Sequence, residues 1–317
     1  MKKNLLYLFA LICSVSLFTA CSDDDEKTDD SWKAVSATYS AESASVDLTK
    51  LIPGEAEITV DAKMLKTGEN YALEGENKTD LRTVSVKGAV ESGILTLDVK
   101  LKITAPIAGT WKLAEIKKDE NDSFVSGPLF MTWEAEDGTL LGGFLPIESI
   151  PALAGPLGSL VLGQVLQNVT FQDNGQIVAS YSKSGISLDK PVTPSWETSE
   201  EGYAAYNVTE TQILVFLNLE KIIAGSKSEQ SSFDPLIELV KNGIPVNYEI
   251  ASDGNSARVY IDKELVDKIV PLLPMLSGMI EDNALGGMGT FVKGLLDSFP
   301  EAMNKTTKLE IGLNLVK

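Results

Sequence analysis

Ser180 and Lys183, and again Ser187 and Lys190, stand three residues apart in the order SxxK, and Lys66-Thr67-Gly68 adds a KTG. On one turn of helix, a lysine three residues past a serine can take the hydroxyl proton and create a nucleophile for acyl transfer. The full set also needs an SDN and places its KTG downstream of the serine. Here the KTG comes first and no SDN occurs, so both matches read as coincidences of short patterns. Glu197, Glu200 and Glu201 could supply carboxylates for glycoside hydrolysis, but acids adjacent in an extended segment point to opposite faces. They are expected in a solvated loop. Asp119, Asn121 and Ser123 have part of a calcium loop's spacing, without its glycine at six or its glutamate at twelve, which predicts a plain acidic turn. The chain has no histidine. That removes Ser-His-Asp and Cys-His catalysis, the HExxH zinc site and the usual proton shuttle at neutral pH. No catalytic residue, metal or cofactor is expected.

One thiol remains as a reactive group with a context. Lys2 and Lys3 precede an apolar run from Leu5 to Phe18, and Thr19-Ala20 are small residues directly before Cys21, the architecture of an export signal. The run is shorter than the ~20 residues a membrane span needs. LFTAC resembles the bacterial lipobox, with Phe18 departing from the leucine usual there. The resemblance implies cleavage after residue 20, a diacylglycerol on the Cys21 thiol and a further acyl chain on its amine, an anchor far stronger than one chain alone. Cys13 leaves with the leader, so no disulfide is expected. Ser22, Asp23, Asp24, Asp25 and Glu26 then resemble the acidic export tag of surface lipoproteins of Bacteroidetes. That likeness implies an outer-membrane protein facing the cell exterior. Residues 21–36 are expected as an acidic, disordered tether, since a like-charge run cannot fold on itself.

Length and composition bound the rest. With 317 residues, 44% apolar and 23% charged, the chain is globular and long enough for about two domains. Its net charge of −18 becomes −20 once Lys2 and Lys3 leave. Nucleic acid is excluded as a partner, because phosphate binding needs clustered cations.

Period-two patterns dominate the body of the chain. Ala56, Ile58, Val60, Ala62 and Met64 alternate with polar residues, as do Val84, Val86 and Val90, and Leu95, Leu97, Val99, Leu101 and Ile103. Residues 37–104 are therefore expected to form a small antiparallel β domain of about five strands. Beyond Ala105-Pro106, three Asx-Gly turns predict hairpins in MTWEA-EDG-TLLGGF, NVTF-QDNG-QIVASY and VNYEI-ASDG-NSARVYI. Ile213 to Leu219 is apolar on both faces, so a strand covered on two sides is expected there, and Leu309, Ile311, Leu313 and Leu315 mark a final strand. About nine or ten strands follow residue 108. Helical insertions are expected near 146–167, 233–242 and 263–303, the first broken by Pro151, Gly155 and Pro156 and the last starting at Asp262 as N-cap. Helices so apolar should be covered on most sides, over one mouth of the sheet or around a greasy pocket.

Gly109-Thr110-Trp111 resembles the GxW signature of the lipocalin and calycin families, and the whole chain resembles calycin-like surface lipoproteins of Bacteroidetes. The expected fold class is mainly β with helical insertions: a small antiparallel β domain, then a calycin-like barrel or sandwich domain over 108–317. The expected function is a lipid-anchored, non-catalytic surface protein that binds an apolar or amphipathic small molecule or a glycan. Trp196, Tyr203 and Tyr206, in a polar loop-like stretch, are candidate ligand rings, and Met275 and Met279 are candidate pocket thioethers. A carboxylate-based glycan hydrolase and a structural or protein-partner lipoprotein are the alternatives. Oligomeric state is not legible from these residues.

Overall fold

The computed structural model describes residues 33–39, 43–68, 70–91, 94–184, 186, 192–218, 221, 240, 242–273 and 289–317. Cys21, the tag Ser22 to Glu26, Met275, Met279, the second SxxK pair and nearly all of the 233–242 insertion lie outside the described residues. Within them the chain is mainly β with few helical insertions, and two hydrophobic cores divide it.

Strands β1 (Lys33–Tyr39), β2 (Ser43–Thr49), β3 (Ile58–Thr67), β4 (Asn70–Lys78), β5 (Arg82–Glu91) and β6 (Ile94–Ile103) form an antiparallel meander, each paired with the next. Ile58, Val60, Ala62 and Met64 bury one face of β3 while Thr59, Asp61 and Lys63 face water, as a half-buried strand requires. Ala56 precedes the strand and is exposed. Val46, Leu48, Leu73, Val84 and Val86 complete the core. Leu95, Leu97, Val99 and Leu101 stay half-buried, because β6 is an edge strand with no neighbour beyond it. β1 begins at Lys33, inside the stretch expected as tether, and makes six strands where about five were expected.

The second sheet holds ten strands. In chain order the elements are β7 (Gly109–Leu113), β8 (Lys117–Lys118), β9 (Phe124–Ser126), β10 (Leu129–Ala135), β11 (Leu140–Leu141), β12 (Leu145–Pro146), helix α1 (Ile150–Val165), β13 (Leu166–Phe171), β14 (Ile177–Ser182), β15 (Trp196–Thr198), β16 (Ala204–Val208), β17 (Gln212–Leu217), β18 (Ile244–Ile250), β19 (Ser256–Asp262), helix α2 (Lys263–Ile269), helix α3 (Gly289–Asn304) and β20 (Thr306–Val316). The sheet runs β15-β14-β13-β7-β20-β19-β18-β17-β16, with β10 also paired to β20; β8–β9 and β11–β12 are separate hairpins. Its margins approach each other. Gln176 bridges Ala205, and the Tyr206 amide donates to the Gly175 carbonyl at 2.8 Å, so the sheet curls back on itself. Trp111 is fully buried inside the curl, and its indole N–H donates to the Ile107 carbonyl at 2.7 Å.

Two expectations need correction. QDNG and ASDG do join β13 to β14 and β18 to β19, but EDG does not make a hairpin: β10 pairs with β20, while β11 pairs with β12. A turn sequence fixes a local reversal, not the strand that later takes up the hydrogen bonds. Second, α1 is continuous through Gly155 and Pro156. Pro151 sits in the first turn, where no N–H is needed, and Pro156 is carried by packing on β10 and β13. The helix is covered on most sides, as expected, with Leu153 and Leu157 among its four exposed positions, and no side chain caps its start. By contrast, α2 starts as its N-cap predicts, the Asp262 carboxylate accepting from the Leu265 amide at 3.1 Å.

Candidate functional site

The two domains meet along a narrow junction. The Ile103 amide at the end of β6 donates to the Asp173 carbonyl at 2.7 Å, in the turn between β13 and β14. On the other side, Phe216 of β17 lies under Gly54 and Gly243, where an added Cβ would stand 2.8 and 2.7 Å from its ring carbon; both glycines have positive φ, at +82°. Hence both faces of β17 are apolar: Ile213, Val215 and Leu217 fill the second core, and Phe216 is covered by the turn leading out of β2.

Beside that contact opens a cleft of about 340 Å³, lined by Ile52, Leu81, Ile103 and Val208 among apolar groups and by Glu55, Asp80, Arg82, Asn207 and Glu210 among polar ones. Local turns set these side chains. The Glu55 amide donates to the Ile52 carbonyl at 3.1 Å, which closes the turn that aims its carboxylate at β5. The Thr79 hydroxyl accepts from the Leu81 and Arg82 amides at 3.3 and 3.1 Å, fixing the β4–β5 connection. Arg82 meets Glu55 through two parallel bonds, Nε to Oε1 at 3.2 Å and Nη2 to Oε2 at 2.7 Å, and Nη1 donates to Asn77 Oδ1 at 3.1 Å. Asn207 Nδ2, from the other domain, donates to Glu55 Oε1 at 3.4 Å.

The pair is mostly shielded, with Arg82 and Glu55 side chains 14% and 28% exposed. Three of the five guanidinium N–H groups are engaged among the described residues, and Arg82 lines the cleft. Asp80 and Glu210 are exposed on its rim. One guanidinium thus faces three carboxylates, so the cleft suits neutral polar groups or cations and repels anions. Tyr248, whose hydroxyl donates to the Thr209 carbonyl at 3.0 Å, has its pKa raised by burial and then by the Glu210 charge.

The residues singled out from sequence do not gather at one place. Trp196 lies on β15, a three-residue margin strand, and is 36% exposed. Tyr203 and Tyr206 were expected as accessible rings, yet both are core. Tyr203 is buried beneath Lys221, whose Nζ stands 5.2 Å over the ring. Tyr206 is fully buried edge-on to Phe171, donates its hydroxyl to the Gln172 carbonyl at 2.8 Å, and has its pKa raised by burial and then by Asp173. Alternation along β16 decides the placement of Tyr206, while Tyr203, one residue before that strand, is covered by Lys221. Ser180 is buried on β14 with its hydroxyl given to Gln167, and Lys183 pairs with Glu197 at 2.7 Å, so the first SxxK pair is not on a helix and is not catalytic in arrangement. Asp119 accepts from the Asn121 and Ser123 amides, the acidic turn expected. Among the described residues no group of three or more acids, histidines or cysteines is placed to hold a metal ion, and no helix is long and apolar enough to cross a membrane.

Sequence reasoning did not find the cleft, although one signal pointed there. Only two of the 27 basic residues are arginines, Arg82 and Arg258. Each is used where a planar, stacking or bidentate group is required: Arg82 on Glu55, and Arg258 with its guanidinium carbon 4.0 Å from the centre of the Phe130 ring. The fold and cleft therefore define a two-domain β protein with a mixed polar and apolar site at the domain junction. No protein-family model matches the chain, no curated protein matches it, and no solved structure matches its fold.

Proposed function

We propose that this chain is a lipid-anchored binding protein of the outer membrane, facing outward, whose calycin-like second domain and leading β domain together hold a small polyhydroxylated ligand such as a short glycan. The observation that carries the reading is the shielded Glu55–Arg82–Asn207 array opening into a cleft of about 340 Å³. That volume is in the range of small-molecule sites, and the mixture of apolar walls with a few fixed polar groups is how such sites bind and orient a ligand. Hydroxyl groups match the remaining donors on Arg82 and Asn207 and the acceptors on Asp80 and Glu210. The excess of carboxylates disfavours phosphorylated, sulfated or acidic ligands.

Binding without catalysis fits better than hydrolysis, because both oxygens of Glu55 accept from Arg82 and a proton there would displace that pair. The test is the melting temperature of the purified mature protein against neutral oligosaccharides, bile-acid-like amphiphiles and polyamines. Neutral glycans should raise it, and Asp80→Asn with Glu210→Gln, both surface changes that leave the fold intact, should weaken the shift. A shift given only by amphiphiles, and kept in that double variant, would place the ligand elsewhere. Release of reducing sugar from the same panel would favour the hydrolase instead.

A further inference from the structure

Helix α1 is built inside out. Its sixteen residues include no charged side chain, and its two polar side chains, Ser159 and Gln164, both point inward. Ser159 is fully buried and its hydroxyl accepts from the Leu129 amide at 3.2 Å. Gln164 is 4% exposed, donating to the Leu160 carbonyl and accepting from the Val192 amide. The side that meets water is aliphatic, with Leu153 and Leu157, one turn apart, 51% and 54% exposed. A surface helix that needs only to pack on a core shows the opposite arrangement.

The β8–β9 hairpin lies against the helix. Phe124 of β9 packs where Gly155 of α1 comes close, and next to it Val125 is 61% exposed. Among the described residues eight large apolar side chains are left exposed, and Leu153 and Leu157 are the two that share one helix face. An apolar face turned to water marks an interaction site.

We infer that the outward face of α1 lies on the lipid bilayer, seated at the boundary between headgroups and acyl chains. What selects a bilayer over other occupants is the length of chain outside the described structure. This step rests on the lipid-anchor reading above: with acyl chains on Cys21, only twelve residue steps separate the membrane from β1 at Lys33. Fully extended they reach about 40 Å, so the folded body can never leave the neighbourhood of the leaflet. At that effective concentration a modest apolar face suffices to dock. The net charge, −20 once Lys2 and Lys3 have left, gives the docking a definite character: it is apolar, and anionic headgroups would weaken it rather than strengthen it.

The test uses the lipidated protein reconstituted in phosphatidylcholine vesicles. Once Cys21 is thioether-linked no other thiol remains, so Leu157→Cys carries a single environment-sensitive fluorophore. A second protein, Lys100→Cys, carries it on the first sheet, where the native side chain is 77% exposed. The label at 157 should shift to the blue and lose emission to brominated lipid, several-fold more than the label at 100. The loss should shrink when phosphatidylglycerol is mixed into the vesicles. An anchored protein whose label at 157 stays in water overturns the docking alone. A blue shift without lipid quenching, in a protein that sediments as a dimer, overturns it in favour of a second copy. A protein that carries no acyl chains by mass and stays out of the vesicles overturns the anchor, and this inference with it.

Discussion

Arg82→Met removes the two bonds to Glu55 and the one to Asn77 while keeping most of the aliphatic bulk. Exposed ion pairs are worth about 0.2–1 kcal/mol, whereas removing one partner of a fully buried pair costs about 3–5 kcal/mol. With side chains 14% and 28% exposed and contacts of 2.7 and 3.2 Å, this pair sits between those limits, and we expect a loss of about 2 kcal/mol. Much of that loss is the stranded carboxylate, which Glu55→Gln would neutralise. The double variant should therefore be more stable than the sum of the single losses by about 1–2 kcal/mol. Urea titrations of the mature chain, followed by circular dichroism, measure all four proteins. A coupling below about 0.5 kcal/mol would mean a solvated pair, and the view that Arg82 and Glu55 build the floor of the cleft would fall.

Three further outcomes follow from other parts of the fold. Trp133 Nε1 donates to the Thr306 hydroxyl at 2.8 Å, which donates to the Ala302 carbonyl at 2.9 Å, all buried; Thr306→Val should cost about 2 kcal/mol by stranding the indole N–H, and Thr306→Ser about 1, and equal losses in urea would refute the relay. Tyr260, held by burial and by its bond to Glu249, is pushed up to about 12, and burial also raises Tyr206 and Tyr248. A raised folded-state value keeps its stabilisation below the unfolded value of 10.0 and loses it as pH climbs toward 12. The unfolding midpoint should thus fall across that interval, less steeply in Tyr260→Phe. Finally, Cys21→Ser should yield a soluble form without acyl chains by mass spectrometry, and neutralising Asp23, Asp24 and Asp25 should leave a lipidated protein that protease no longer reaches on intact cells; full exposure of that variant would refute the tag.

Half-buried strands were readable because one face is enough to show the period. Ile58 to Met64 in β3 and Leu309 to Leu315 in β20 each betray their direction of burial, and the QDNG and ASDG turns name their own partners. Pairing between distant strands left no such mark: Trp133 of β10 lies opposite Leu309 of β20, and nothing near either residue names the other. The cleft was hidden for the same reason, since Glu55, Arg82 and Asn207 come from three stretches and acquire meaning only when the sheets meet. Tyr206 was hidden by a polar neighbourhood in sequence that becomes an alternating strand in space, while Tyr203, just before that strand, is covered by Lys221. α1 kept one thing back: so apolar a segment implies cover on most sides, and only the structure shows that Leu153 and Leu157 are the side chains left outward.

The position of β20 has a consequence for how such a protein is made. It is flanked by β19 on one side and by β7 and β10 in succession on the other, so three strands depend on residues 306–316. Made from its amino end, the chain presents β7 and β10 long before their partner arrives. The leading meander, whose neighbours are all consecutive, can fold as it emerges. β7 and β10 must wait for β20 to complete their pairing, so loss of residues 306–316 would leave both strands open on that side.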